Sequence, residues 1–150
     1  MGLKIIGTGC GLPEKIITNN DLAAIMDTSD EWISQRTGIR ERRILSAGES
    51  LLELGTKAAG EALAKAKTKA EEIDLLIVST IGGDYKTPAM SCLVAGELGI
   101  DCITLDINIA CCGFLYALHT ANAYFRAGMA KKALILSAEA LSRLTDWRDR

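Results

Sequence analysis

The sequence predicts an α/β fold in which a mostly parallel sheet is sandwiched by helices. Three observations predict it. Leu75-Leu-Ile-Val-Ser79 is apolar without alternation, the pattern of a strand covered on both faces inside a parallel sheet. Ile103, Leu105 and Ile107 alternate with Thr104, Asp106 and Asn108, the period of a half-buried strand. From Ala110 the period changes at once: Phe114, Leu115 and Leu118, then Ala121 and Phe125, recur at helical spacings of three and four. Strands that alternate with helices in this way build a parallel sheet between helical layers.

In chain order, Leu3 to Thr8 reads as a short buried strand closed by the glycine-rich turn Gly7-Thr-Gly-Cys-Gly-Leu-Pro13. The spacing Gly7-x-Gly9-x-Gly11 is not a dinucleotide fingerprint, because the third glycine comes too early and Pro13 follows with no helix opening. Asn19 or Asn20 is expected to cap a helix through Leu22, Ile25 and Met26. Thr28 or Ser29 caps a second, short one with Asp30 and Glu31 in its first turn. A long helix runs from Leu51 to about Lys67, its Ala and Gly content suited to close packing on a sheet. After the Leu75 strand, a loop from Ile81 leads to Pro88, which suits the first turn of a helix from Ala89 to Leu98, ended by Gly99. Gly128 stops the helix that follows Cys112, and Ala133-Leu-Ile-Leu-Ser137 is the last strand.

A length of 150 residues suits one domain, and a net charge of −2 argues against a nucleic-acid binder that relies on bulk charge. The five cysteines show no CxxC pairing, so neither a zinc site nor a disulfide framework is expected; an odd number fits reduced thiols in a cytoplasmic protein. No signal peptide and no apolar run of membrane-spanning length is visible, and Ile6 breaks the myristoylation motif that Gly2 would open.

Two stretches carry chemistry. Cys111 and Cys112 sit where a strand hands over to a helix, and the free N–H groups and partial positive charge of a helix start favour a thiolate. Gly113 leaves room for a substrate to approach. Buried cysteine is also a common small hydrophobe, and adjacency leaves open which sulfur matters. In the second stretch, Trp32 and Arg36 lie four apart on one helix face, and Arg40, Arg42 and Arg43 follow. An aromatic plate beside guanidinium groups suits a flat ring bearing phosphates, such as a nucleotide or coenzyme A. The alternative is a tryptophan covering the core edge, with solvated arginines paired to Glu31 and Glu41. His119, on the central helix, reads as a packing residue.

Taken together, Gly7-Thr-Gly9 with Leu12-Pro13, the block Asp27-Thr-Ser-Asp-Glu-Trp-Ile…Arg36-Thr-Gly-Ile-Arg-Glu-Arg42, and Asp106-Ile-Asn-Ile-Ala-Cys-Cys-Gly-Phe-x-Tyr-Ala-Leu118 resemble the N-terminal half of the 3-oxoacyl-[acyl-carrier-protein] synthase III family. The likeness runs from Lys4 to Arg150. It implies a thiolase-like fold, with residues 1–150 as the N-terminal half of a pseudo-duplicated molecule and the C-terminal half absent. Residue by residue it puts the family's nucleophile on Cys111 and its coenzyme A contacts on Thr28, Trp32, Arg36 and Arg150. Cys112 replaces a small residue. Thr87, before Pro88, stands where the family commonly has an aromatic that limits the acyl pocket, which implies a roomier pocket.

The activity implied is the initiating condensation of fatty-acid synthesis. Acyl-CoA acylates Cys111, and decarboxylative condensation with malonyl-acyl carrier protein gives a 3-oxoacyl product. The resemblance implies no cofactor beyond the coenzyme A thioester substrate, no metal, a homodimer, and no nucleic-acid or membrane partner. The family's decarboxylation histidine and asparagine lie in the other half, so these 150 residues alone are not expected to complete condensation. Two other readings stand beside this one: a starter-unit condensing enzyme or acyltransferase of polyketide or quinolone synthesis, and a non-catalytic piece that only self-associates.

Overall fold

In the computed structural model, which describes residues 3–149, β3 (Leu75–Ser79), β4 (Ile103–Ile107) and β5 (Ala133–Ser137) form a parallel sheet in the order β4–β3–β5. Ile77 lies opposite Leu105 on one side and Ile135 on the other. The uniform apolarity of β3 is explained by its place: every one of its residues is buried. Leu75 and Ile77 face the small side chains Ala117 and Ala121 of α5 (Gly113–Arg126). The opposite face meets α3 (Leu51–Ala66) and α4 (Met90–Leu98). There Gly55 lets α3 approach so closely that a Cβ would lie 3.0 Å from Leu136 Cδ2 and 3.1 Å from Met90 Cε. This is the sandwiched parallel sheet that the sequence predicts.

Polar fastenings set the ends of these elements. Ser50 caps α3 by accepting from the Glu53 amide, and Gly99 closes α4 in the left-handed conformation. Asp74, just before β3, accepts from the amides of Lys131 (2.7 Å) and Lys132 (3.0 Å), tying the start of β3 to the entry of β5. These amides hold its carboxyl below the usual aspartate range. Pro88 differs slightly from expectation: it precedes the cap residue Ala89, and the helix begins at Met90.

The expected strand Leu3–Thr8 is not one. Among the described residues no strand pairs with this segment, which instead runs extended along α3. Cβ atoms on Gly7, Gly9 and Gly11 would strike the carbonyl oxygens of Ala62, Ala58 and Leu54 at 2.4, 1.9 and 2.1 Å. Two extended residues advance about 6.6 Å and four helical residues about 6 Å, so every second residue meets every fourth. The glycines therefore serve close approach. None of the three has a positive φ, so they form no turn of the kind expected.

Residues 3–11 and 50–139 make one compact unit; residues 12–49 and 140–149 make another. The second holds a two-stranded antiparallel sheet, β1 (Lys15–Thr18) and β2 (Glu41–Ile44), that the sequence pattern did not reveal. Between the strands lie α1 (Asn19–Ala23) and α2 (Asp30–Thr37). Thr18, rather than Asn19 or Asn20, caps α1, in a capping box with Asp21. Helix α1 also stops at Ala23 and leaves Ile25 exposed.

Candidate active site

Loops that leave the C-terminal ends of neighbouring parallel strands are where open α/β sheets bind ligands. Residues 80–89 leave β3 and residues 108–112 leave β4 at such ends. The second carries Cys111 and Cys112, both free and exposed. Its backbone is built tightly. Ala110 is left-handed (φ +46°), a conformation that costs a non-glycine residue roughly 1–2 kcal/mol. One 3-10 turn, Ala110–Cys112, then leads into α5. Gly113 is buried, and a Cβ there would lie 1.7 Å from Ser79 Oγ. Its missing side chain makes room for the end of β3 and not, as the sequence suggests, for a substrate.

The 3-10 turn also uses some of the amides expected to be free. Cys112 N–H donates to Ile109 (3.3 Å) and Gly113 N–H to Ala110. Among the described residues the Cys111 N–H has no acceptor.

Carboxylates whose role the sequence pattern does not show fix the surrounding loops. Asp106 of β4 accepts from the amides of Met90 (2.7 Å) and Ser91 (2.8 Å), anchoring the start of α4 to the strand that leads to Cys111. Asp84 accepts from Ser50 Oγ (2.9 Å) and the Leu52 amide (2.8 Å), and Glu139 from the Ile81 amide at 3.2 Å. The sequence signal for these contacts is weak, because an acidic residue becomes a helix-start partner only once the fold brings it there. Thr87 is exposed on the loop after β3, and its peptide bond to Pro88 is cis. His119 is exposed on α5, so it is no packing residue.

In the second unit, Ser29 caps α2 by accepting from the Trp32 amide at 3.1 Å. Arg36 lies over the Trp32 ring, its Cζ 4.4 Å from the centroid, so the expected shared face is present. Thr28 Oγ1 is buried with no hydrogen-bond partner. The further arginines do not form a free cluster. Arg42 donates to Asn19 Oδ1 (2.7 Å) and Ile17 O (3.3 Å), and Arg43 to Pro13 O at 2.8 Å. Glu31 is engaged by Gln35 at 2.9 Å. Arg150 lies outside the described residues. Among the described residues no group of three or more His, Cys, Asp or Glu side chains is arranged to hold a metal ion, and no helix is long and apolar enough to cross a membrane.

A parallel sheet between helical layers, with a cysteine on the tight turn from β4 into α5, is the architecture of the thiolase-like class of fold to which the structural neighbours belong. Comparison with known proteins narrows this. The family model for 3-oxoacyl-[acyl-carrier-protein (ACP)] synthase III matches residues 105–150. The chain is 49% identical over 149 residues to a beta-ketoacyl-[acyl-carrier-protein] synthase III of Clostridium acetobutylicum, covering 99% of the chain and 46% of that protein. The crystal structure of 3-oxoacyl-[acyl-carrier-protein] synthase III from Aquifex aeolicus superposes with a TM-score of 0.96 at 47% identity, over 99% of this chain and 48% of that one. The priming beta-ketosynthase of a polyketide biosynthetic pathway gives 0.93 at 34% identity, over 98% and 44%. Over nearly its whole length the chain is similar to the 3-oxoacyl-[acyl-carrier-protein] synthase III proteins, and it spans about half the length of the curated relatives it matches.

Proposed function

We propose that Cys111 is the acyl-accepting nucleophile of a condensing enzyme that initiates fatty-acid synthesis. The observation that carries this reading is the free, exposed Cys111 on the strained turn between β4 and α5. The Cys111 thiolate attacks the carbonyl carbon of an acyl-CoA. The Cys111 N–H donates to the oxyanion that forms, the bond to the coenzyme A sulfur breaks, and coenzyme A leaves as its thiolate. Trp32, Arg36, Thr28 and Arg150 bind the coenzyme A portion, with the ring of Trp32 offering a flat apolar face and the guanidinium groups meeting phosphates. Thr87 borders the acyl pocket. No cofactor or metal takes part.

Malonyl-acyl carrier protein is the second substrate: loss of carbon dioxide yields the carbanion that attacks acyl-Cys111. That step calls for a histidine and an asparagine supplied by the other half of the family's fold. The 150 residues contain one histidine, His119, exposed on α5, so the chain by itself acylates without condensing. We further propose a cytoplasmic homodimer that binds neither nucleic acid nor membrane; the exposed Ile103 on edge strand β4 supports self-association. A second reading, priming of polyketide synthesis, is favoured by the likeness to the priming beta-ketosynthase and by Thr87 in place of an aromatic.

Intact-mass measurement after incubation with a series of acyl-CoAs tests the reading. One acyl adduct is expected, lost in Cys111→Ala and kept in Cys112→Ala. No adduct with any donor marks the chain as a non-catalytic, self-associating piece. Preference for longer or branched donors over acetyl-CoA favours the polyketide reading.

A further inference from the structure

Helix α2 carries Trp32 and Arg36, yet buries none of its own residues. Ile33 is its one half-buried apolar side chain, so apolar packing alone is a weak guide to its orientation. Asn19, just ahead of it in the chain, is 1% exposed and uses its side chain fully. Its Nδ2 donates to Asp30 Oδ1 at 2.7 Å and to Ile39 O at 2.8 Å, with Ser34 Oγ at 3.3 Å. Its Oδ1 accepts from Arg42 Nη2 at 2.7 Å, and its own amide donates to Arg40 O at 3.1 Å. Only one orientation of this amide satisfies an acceptor pair on one side and a guanidinium on the other. Ser34 Oγ also donates to Asp30 Oδ1 at 3.2 Å.

The partners mark out α2. Asp30 is its first residue, Ser34 its second turn, and Ile39 follows its cap, Gly38. Asp30 and Ser34 lie four apart, on one face. Trp32 and Arg36 also lie four apart, rotated about 200° from the first pair at 100° per residue. The helix thus turns the hydrogen-bonded Asp30 and Ser34 toward Asn19 and presents its aromatic and cationic pair on the opposite face.

We infer that Asn19 is a positioning residue for coenzyme A: by clamping the inner face of α2 to β2 through Asp30, Ile39 and Arg42, it holds Trp32 and Arg36 in the geometry that receives the nucleotide. The inference rests on the proposed coenzyme A site and deepens it. Asn19 touches neither the acyl group nor Cys111 in this scheme, so its effect depends on the donor. It counts for a donor that carries the nucleotide and not for one that lacks it.

The test compares the rate of Cys111 acylation, by intact mass, from acetyl-CoA and from acetyl-N-acetylcysteamine, which has the same thioester and no nucleotide. Asn19→Asp keeps the acceptor for Arg42 and replaces both donors with a carboxylate oxygen facing Asp30. It is expected to slow the acetyl-CoA reaction about tenfold, the factor that loss of a buried donor pair commands, and to leave the N-acetylcysteamine reaction within about twofold. Adding Asp30→Asn restores a donor–acceptor pair in the reverse sense and should recover much of the loss. Trp32→Ala should show the same donor-selective defect. If Trp32→Ala is selective but Asn19→Asp slows both donors alike, or neither, the inference falls and the coenzyme A site stands. If Trp32→Ala is not selective, or the wild-type chain is not acylated, the site itself falls and the inference with it. Should circular dichroism show Asn19→Asp unfolded, Ser34→Ala removes the 3.3 Å contact with Asn19 and the 3.2 Å bond to Asp30 and leaves the two shorter Asn19 bonds in place. A selective slowing of about twofold then supports the inference, and its absence overturns it.

Discussion

Gly9→Ala sets two effects of opposite sign against each other. The backbone at Gly9 does not have a positive φ, so by chain entropy alone alanine would stabilise the fold by about 0.4–1 kcal/mol. Against this, the new methyl carbon would stand 1.9 Å from Ala58 O, 2.7 Å from Ala62 N and 3.0 Å from Ala58 C. Real side chains essentially never come closer than 3.0 Å, so the shortest contact falls 1.1 Å short. All three neighbours are backbone atoms of α3, held by its own hydrogen bonds, and no rotamer change relieves them. The segment 3–11 must lift from the helix. Overpacking costs about 1–3 kcal/mol, which outweighs the entropic gain, and for a chain of this length each kcal/mol moves the melting temperature by about 2–4 °C. Gly9→Ala is therefore expected to melt several degrees below wild type, with faster amide exchange at residues 4–10. Gly96→Ala is the matched control. Gly96 lies inside α4, and a Cβ added there would meet nothing within 4 Å. Helix propensity alone then applies, and the melting temperature should rise, by about 1 kcal/mol in stability. A Gly9→Ala protein that melts with or above Gly96→Ala would refute the claim that the glycines exist for contact with α3.

Other perturbations read different parts of the fold. Asp74 is held below the ordinary carboxylate range by the amides of Lys131 and Lys132, so it binds fewer protons folded than unfolded. Its stabilisation is full above the unfolded value of about 3.9 and is lost as the pH falls through the lower folded value. Asp74→Asn should flatten the acid limb of a urea-denaturation series between about pH 5 and 2, and an unchanged slope would count against it. Thr87→Phe should narrow the acyl pocket: Cys111 labelling by acetyl-CoA is expected to persist while labelling by long or branched acyl-CoAs falls at least about tenfold, a 1.4 kcal/mol discrimination. Equal loss for all donors would show that Thr87 does not border the acyl group.

What was legible in the sequence was whatever depends on neighbours in the chain. The buried run Leu75–Ser79, the change of period at Ala110, the helix start at Leu51 and the Gly99 terminator are local patterns, and each appears where expected. The Trp32–Arg36 stack is local too, since a helix puts i and i+4 on one face. What failed depended on partners distant in sequence. The run Leu3–Thr8 has strand composition, but a strand also needs a neighbour to pair with, and here the neighbour is a helix surface. The glycine spacing looked like turn chemistry because the meaning of a glycine with an ordinary backbone lies in the atoms opposite it.

Asn19 illustrates the same limit at the candidate site. An asparagine followed by an aspartate two residues on reads as a helix cap, and Thr18 beside it takes that role only because Asp21 closes the capping box. Asn19 is instead drawn inward by acceptors 11 and 20 residues away and a donor 23 residues away. A buried amide with every hydrogen-bonding group satisfied fixes direction as well as contact, because each bond has a preferred angle. Apolar packing alone would let an eight-residue helix such as α2 rotate among nearly equivalent seatings. A helix whose outer face must hold one ring and one guanidinium at a set angle gains more from directional bonds than from buried methyl groups. That is a physical reason for α2 to be polar on the inside, and it places the precision of the proposed nucleotide site one residue layer beneath the residues that would touch the nucleotide.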